Sequence, residues 1–218
     1  PKNVFTRGLW INSAKAAFKE FANPYEYDRK GLIEYFPNIR WQSTNVEEGL
    51  TFVISDLYKL GVTVFYQSSL PTLHLRGATM VIDGKPCVVL TDYVGFYATL
   101  WHTLCHELSH VLFDFEQIQN KTYHISGEDS QDLAVAEKER EANNFAREYL
   151  FSSTKLEMVK PHISNKKYIY EFADQNDVHP SLIYAYHAFE EGKENPSAWA
   201  AAKRHNPDLS NLLKNIEN

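Results

Sequence analysis

The chain has 218 residues, of which 44% are hydrophobic and 14% aromatic, with a formal net charge of −6 and a pI near 5.9. This composition is typical of a globular protein with a buried core and excludes a disordered chain. The acidic balance disfavours a broad nucleic-acid surface, because phosphate binding requires a clustered excess of Lys and Arg. Two cysteines, Cys87 and Cys105, are too few for a disulfide framework, so the expected compartment is reducing.

The ends and apolar runs of the sequence predict where the protein resides. The sequence contains no run of eighteen apolar residues and no signal-peptide core near its N-terminus. We therefore expect a cytoplasmic protein with no membrane partner. The chain begins at Pro1 rather than at an initiator methionine, so we expect a fragment from which an upstream piece has been removed.

The first part of the chain is predicted to be helical. Residues 9–36 favour two short helices interrupted near Pro24. Thr44 and Glu47 form a capping-box signature for the next helix. Gly61 then supplies a left-handed stop. Six apolar residues repeat at helical spacing between these signals: Val46, Leu50, Val53, Ile54, Leu57 and Leu60.

The middle of the chain predicts a small sheet followed by helices. Residues 62–66 favour a strand, and residues 78–92 favour two strands joined at Asp83 and Gly84, a hairpin signal. Helices are predicted at 98–115 and 133–151, separated by a polar stretch. This order indicates an α+β fold with a small mixed sheet and helical flanks.

We divide the chain into three segments. Residues 1–44 are a helical segment or a linker from a missing upstream domain, residues 45–160 are the central domain, and residues 161–218 are a helical extension. Residues 171–190 of the extension predict a helix, a short turn and a second helix, with Pro180 at a first helical position.

One stretch, WHTLCHELSHVLFDF at 101–115, carries the chemistry. His106 and His110 are four residues apart, so a helix places both imidazoles on one face, where they can bind the same ion. Glu107 lies about 100° around the helix, which suits a base beside the metal rather than a ligand. The plain alternative is two exposed histidines and a surface glutamate. We favour zinc, because HExxH on a helix is the pattern of metallopeptidases.

A catalytic zinc with two histidines requires a third protein ligand and an open position for water. The candidates lie on the predicted helix 133–151: Glu137, Glu139, Glu141 and Glu148. Periodicity favours Glu141, which sits one turn before Phe145 at the edge of the apolar stripe. Glu137 and Glu148 remain alternatives, and Glu139 is expected on the opposite side of the helix.

The chain resembles the ImmA/IrrE family of zinc metallopeptidase domains. The resemblance rests on WHTLCHELSHVLF and on the later EREANNFAREYL, with similar strands before the motif, and it covers roughly residues 45–155. It implies a zincin-like fold, Zn²⁺ held by His106, His110 and Glu141, and Glu107 as the catalytic carboxylate. Ser109 stands where the family usually has glycine; because the residue stays small, we expect the helix to pack as it does in the family.

The nearest likeness within that family is to two-domain regulators. These join an N-terminal helix-turn-helix DNA-binding domain to the peptidase-like domain and are associated with toxin–antitoxin or phage-repressor loci. By this resemblance, the expected partner is a protein or peptide substrate, such as a repressor or a toxin. DNA is expected to bind only through the missing N-terminal domain, and a second copy of the chain is a further candidate partner.

The mechanism that follows is zinc-assisted peptide hydrolysis. Glu107 takes a proton from a zinc-activated water and returns it to the departing amine. An extended peptide is expected to pair with the strand at 86–91. Four residues are candidates for the oxyanion donor, although packing or surface roles are favoured for each: Tyr93, Tyr97, Tyr123 and His124.

Two other functions compete with this reading. The first is a regulatory or antitoxin module that keeps the zincin fold for binding or sensing and does little proteolysis. The intact motif argues against it, because a purely structural role does not require Glu107. The second makes the helix pair at 168–189 a DNA-binding element. Residues 160–218 contain seven Lys or Arg and eight Asp or Glu, so packing or dimerisation is favoured instead.

Overall fold

The centre of the fold is a four-stranded mixed sheet. The structure is a computed structural model that describes residues 2–70, 73–121, 124–126 and 133–216. The strands are β1 (Thr63–Tyr66), β2 (Gly77–Ile82), β3 (Lys85–Leu90) and β4 (His124–Ser126), in the spatial order β1-β3-β2-β4. β3 is parallel to β1 and antiparallel to β2, which is antiparallel to β4. The predicted α+β class is confirmed.

Two turns form where the sequence predicts them. Asp83 and Gly84 join β2 to β3 with positive φ angles of 51° and 77°, as a tight hairpin requires. Gly61 also has a φ of 77°, and a Cβ there would meet the backbone of Glu26, so glycine is needed at this position.

One face of the sheet is covered by the first helix, α1 (Lys2–Phe21). The side chains of Trp10, Ala14 and Phe18 form one apolar cluster with residues of alternate strand positions, including Phe65 and Met80. Because side chains alternate across a strand, the intervening residues of β1 and β3 face the other side of the sheet.

The opposite face of the sheet carries α3 (Gly49–Lys59) and α4 (Tyr97–Phe113). Fourteen of the 17 residues of α4 are buried, so this helix is surrounded by protein rather than lying on the surface. It packs between the sheet and α6 (Leu133–Phe151). The HExxH residues therefore lie inside the molecule.

The remaining helices complete the shell around α4. They are α2 (Arg29–Tyr35), α5 (Phe115–Lys121), α7 (Ser153–Val159), α8 (Lys166–Gln175), α9 (Pro180–Glu191), α10 (Pro196–Arg204) and α11 (Ser210–Ile216), with short 3-10 turns at Phe36–Asn38, Arg40–Thr44 and Lys160–His162. The apolar core around α4 is continuous from Leu32 to Ile216, so it draws on all three predicted segments. No helix in the described ranges combines the length and apolarity needed to cross a membrane.

The predicted capping box at Thr44 and Glu47 is wrong. Thr44 ends a 3-10 turn, and α3 begins only at Gly49. Asn45 orders this junction, because its side-chain oxygen accepts from the backbone N–H of Glu48 and its carbonyl accepts from Gly49. The local polar pattern was compatible with both arrangements.

The pair formed by α8 and α9 does not present a DNA-reading helix. α9 is buried from Ser181 through Ala188, and Pro180 occupies its first position as expected. A recognition helix must expose its N-terminal turns to a groove, so the buried face of α9 supports the packing role.

Candidate metal centre

The two histidines of the motif converge because α4 places them one turn apart on its face toward α6. His106 and His110 are 3% and 1% exposed, and their Nε2 atoms are 3.2 Å apart. Two imidazole nitrogens at this distance either share a proton or present their lone pairs to a common partner.

Glu139 of α6 completes the cluster. Its Oε1 lies 3.1 Å from Nε2 of His110 and 3.5 Å from Nε2 of His106. The three residues form a group that could hold a metal ion, each offering one ligand atom. This group supports the prediction that the two histidines of the HExxH motif belong to a metal-binding cluster.

The spacing of these three atoms fits a small divalent ion. Zinc bonds of about 2.0–2.2 Å in tetrahedral geometry require donor atoms about 3.3–3.6 Å apart. The three observed separations are 3.1, 3.2 and 3.5 Å. The donor atoms are therefore preorganised to within a few tenths of an ångström.

The prediction of Glu141 as the third ligand is corrected. Glu141 is exposed, whereas Glu139 faces α4. The buried line of α6 runs through Ala142, Ala146 and Leu150, and Glu139 continues it one turn earlier. The alternatives Glu137 and Glu148 are exposed as well.

Asp114 orients one of the two rings. Its Oδ2 lies 2.9 Å from Nδ1 of His110, and Lys138 forms an ion pair with its other oxygen. A carboxylate only accepts, so Nδ1 of His110 carries the proton and Nε2 presents its lone pair to the cluster. This carboxylate–histidine arrangement is typical of metal sites. Asp114 is not among the residues predicted from the sequence, although it lies four residues after His110, at the same helical spacing as the two histidines.

Glu107 is not part of the ligand cluster. It is wholly buried, and its Oε2 accepts a 2.6 Å hydrogen bond from the hydroxyl of Thr79 on β2. Its Oε1 is buried and has no hydrogen-bond partner among the described residues. Gly77 makes room for it, because a Cβ at that position would come within 2.7 Å of Oε1.

Both ends of α4 are held by residues far away in sequence. The backbone N–H of Tyr97 donates to the side chain of Asn206 at 2.8 Å. At the other end, the Arg29 guanidinium donates two hydrogen bonds to the carbonyl of Leu112. These contacts satisfy groups that a helix terminus leaves unpaired, and they fix the position of the motif helix.

Ser109 fits within α4 between the two histidines. Its hydroxyl donates a 2.7 Å hydrogen bond to the carbonyl of His106, and the residue is 3% exposed. Ser109 is therefore accommodated inside the packed helix.

A third histidine of α4 borders the cluster. His102 lies one turn before His106, with hydrogen-bonding contacts of 3.0 Å to the Tyr186 hydroxyl and 3.3 Å to the Asn143 side chain. Burial lowers the pKa of His102 to about 4, so the ring is neutral near pH 7. The sequence analysis missed this residue, although the spacing of four residues that links the motif histidines extends to it.

His102 and Asn143 line a cavity of about 280 Å³ between α4, α6 and α9. Arg76, the residue before Gly77, stands exposed at its edge, and Tyr186 lies on its α9 side. The cavity is thus one helical turn from the histidine–glutamate cluster.

No family model, curated protein or solved structure matches this chain. The chemistry of the histidine–glutamate cluster therefore rests on its own residues alone.

The predicted pairing of a peptide with residues 86–91 is wrong. β3 is an inner strand, with β1 on one side and β2 on the other, so its backbone groups are already paired. β4 occupies the edge beyond β2, next to the Gly77–Thr79 segment that contacts Glu107. Among the described strands, β4 is the one that a peptide approaching this side would meet.

The structure describes the side chains of two of the four candidates for the oxyanion donor, and it places them in different surroundings. Tyr97 is fully buried and donates its hydroxyl to the carbonyl of Ser43 at 2.8 Å, so it is committed elsewhere. Tyr93 is exposed and stacks on His74. Tyr123 and the side chain of His124 lie outside the described residues.

The two cysteines are core residues. Cys87 and Cys105 are both inaccessible to solvent, and burial raises the pKa of each thiol well above its usual range. The prediction that each acts as a small buried hydrophobe is confirmed.

Proposed function

We propose that this domain is a zinc metallopeptidase in which His106, His110 and Glu139 hold the ion and Glu107 acts as general base. Two histidines and one carboxylate are a donor set of catalytic zinc, which keeps a further position open. Hard ions such as Mg²⁺ and Ca²⁺ prefer all-oxygen sites, so they fit these donors less well.

The burial of Glu107 carries the proposal. A carboxylate with zero exposure and one unpartnered oxygen costs on the order of 1–3 kcal/mol or more relative to an apolar residue. The described residues offer Glu107 one neutral donor, the Thr79 hydroxyl, and no cation. A role in stability alone does not account for that cost, whereas a base that must accept a proton requires a free oxygen.

In the proposed reaction, His106, His110 and Glu139 would hold a divalent ion, which would supply acidification of a water molecule and polarisation of the substrate carbonyl. Thr79 holds Oε2 of Glu107 by its hydrogen bond, which leaves Oε1 to accept the proton and pass it to the departing amine. Asp114 holds His110 in the tautomer that serves as a ligand.

We propose a protein partner as the substrate, such as a repressor, toxin or other regulator in a stress, phage or toxin–antitoxin system. This follows the family resemblance. The edge strand β4 offers backbone groups to an extended segment, and the cavity beside His102 offers room for a side chain next to the scissile bond.

The decisive experiment compares Glu107→Gln with the parent protein. Glutamine preserves the shape of the side chain but cannot accept the proton as a carboxylate does. We expect Glu107→Gln to retain one zinc per chain while cleavage of a proteome-derived peptide library falls by at least about a hundredfold. Metal content is read by elemental mass spectrometry and cleavage by peptide sequencing.

Glu137→Gln is the matched control, because it makes the same chemical change at an exposed position on α6. It is expected to behave as the parent in both assays. Equal cleavage by the parent and by Glu107→Gln would contradict the assignment of Glu107 as the general base. If the parent binds zinc but cleaves nothing, the result would favour the regulatory or antitoxin module.

A further inference from the structure

A second cavity lies in the helical C-terminal region, away from the histidine–glutamate cluster. Its volume is about 450 Å³, and α8, α9, α10 and the segment before α8 form its walls. This volume falls in the range of small-molecule sites. The residues that line it do not overlap with those of the cavity beside His102.

The charges around this cavity have one sign. Lys166 and Arg204 stand at its edge, His187 and His205 line it, and none of the lining residues is acidic. This is notable in a chain whose net charge is −6. A concave site lined by cations concentrates the field that attracts an anion.

Neither edge cation is neutralised by a carboxylate in the part of the chain that the structure describes. Lys166 and Arg204 form no ion pair among the described residues, although Lys166 lies over the ring of Tyr170. Lys167, next to Lys166 in sequence, pairs with Glu171 and is not among the residues that line the cavity. The charges of Lys166 and Arg204 are therefore available to a ligand at the edge of the cavity.

His187 adds an unsatisfied polar group to this site. It is 5% exposed, and its Nδ1 has no hydrogen-bond partner among the described residues; the nearest carboxylate oxygen, on Glu191, is 3.8 Å away. A buried polar atom without a partner is uncommon in proteins and calls for an explanation. The nitrogen is shielded from solvent, so it makes the wall of the cavity polar without being an open contact for a ligand.

We propose that this cavity binds a small phosphate monoester. Lys166 supplies a point charge and Arg204 a planar fork, and Ser164 lies among the lining residues. Donors spread over three walls match the three terminal oxygens of a phosphate better than the two of a carboxylate. The remaining volume accommodates the organic part of the ligand.

Calorimetric titration of the full chain tests this site with ribose 5-phosphate and adenosine monophosphate. Ribose, adenosine and succinate serve as probes without the phosphate. At least one phosphate-bearing probe is expected to bind, and its affinity is expected to fall about tenfold or more in Lys166→Gln and in Arg204→Gln. Ala201→Leu, which fills the cavity without changing charge, is expected to abolish binding, with circular dichroism confirming that it folds.

The matched controls are Lys167→Gln and Lys203→Gln. Each removes one positive charge from an exposed neighbour that does not line the cavity, and each is expected to bind as the parent does. The proposal is overturned if neither phosphate-bearing probe binds, if the phosphate-free probes bind equally well, or if the control variants weaken binding as much as the cavity variants do. Binding to phosphatidic acid vesicles in place of the soluble probes would overturn it too. Chelation of the metal is expected to leave the titration unchanged.

Discussion

Glu139 and Glu141 are two residues apart on α6, so their side chains leave the helix about 200° apart around its axis. The sequence pattern predicts one apolar stripe on this helix, and its two aromatic members draw Glu141 toward the core; the stripe comprises Ala142, Phe145, Ala146, Tyr149 and Leu150. Both aromatic side chains are only partly buried, and they pack against Phe36 at the margin of the interface. Large aromatic residues at the edge of a helix face shift its apparent apolar direction, whereas small alanines mark the line of closest approach.

This geometry predicts different outcomes for two otherwise equal substitutions. Glu139→Gln is expected to weaken zinc binding by a hundredfold or more, because it replaces a charged ligand at the cluster with a neutral amide (an order-of-magnitude expectation). Glu141→Gln, on the exposed face of the same helix, is expected to leave the affinity within about twofold of the parent. Competition with a fluorescent zinc chelator measures both. Loss of zinc in Glu141→Gln with retention in Glu139→Gln would restore the original assignment.

Gly77 is the second residue whose size matters. An added Cβ would lie 2.6 Å from Cγ2 of Thr103 and 2.7 Å from Oε1 of Glu107. We therefore expect Gly77→Ala to displace the Glu107 carboxylate and to lower the free energy of unfolding by about 1–3 kcal/mol. Zinc binding should persist while cleavage falls, because the ligands lie elsewhere.

The control for this substitution is Gly8→Ala in α1. A Cβ at Gly8 has no neighbour within 4 Å, and alanine within a helix stabilises by about 0.5–1 kcal/mol relative to glycine. Urea unfolding measures the two variants against the parent. If Gly77→Ala proved as stable and as active as Gly8→Ala, the packing around Glu107 would have to be looser than described.

At the scale of secondary-structure elements, the sequence predicts most helices and strands but few of their ends. Apolar periodicity and nearby turn residues predict β1, β2, β3, the hairpin at Asp83 and the motif helix, but not β4. They do not predict the ends of α4, since Asn206 and Arg29 satisfy them from more than 80 residues away. Local patterns cannot reveal a cap that only the tertiary fold brings into place.

α9 provides a pH-dependent test of one such cap. His179 is its N-cap, and Nδ1 of the ring accepts from the backbone N–H of Ser181 at 3.2 Å. Burial lowers the pKa of His179 to about 4, below the usual 6.5. Between these values the unfolded chain takes up a proton that the folded chain does not, so stability present above pH 6.5 is lost as the pH falls toward 4.

His179→Asn keeps a capping acceptor but removes this titration. Relative to the variant, the metal-free parent is expected to lose about 1 kcal/mol of unfolding free energy between pH 7 and pH 4.5, a value reduced because part of the ring meets water. Urea unfolding at a series of pH values measures this difference. His162→Asn, at an exposed histidine, is the control and should follow the parent. Parallel curves for the parent and His179→Asn would rule out this role for His179.

At the scale of the whole molecule, the sequence predicts the fold class but not how the helices are layered on the sheet. It indicated an α+β domain with a small sheet, which the structure confirms. It gave no sign that α1 closes one face of the sheet, or that α4 is enclosed on nearly every side. A helix buried all round loses the one-sided apolar pattern from which the orientation of a helix is inferred.

The position of the cluster between two core helices predicts how metal changes global stability. His106 and His110 belong to α4 and Glu139 to α6, so an ion shared by the three links two helices of one continuous core. An ion that binds the folded chain alone stabilises it by about 2.7 kcal/mol when its free concentration is 100 times the dissociation constant. We expect the parent to gain that amount in zinc-buffered urea unfolding and to lose it on chelation. His110→Ala should gain nothing from zinc, whereas Glu141→Gln should gain as much as the parent. If zinc raised the unfolding free energy of His110→Ala by the same amount, the ion would have to bind elsewhere on the folded chain. The assignment of the histidine–glutamate cluster as the zinc site would then be wrong.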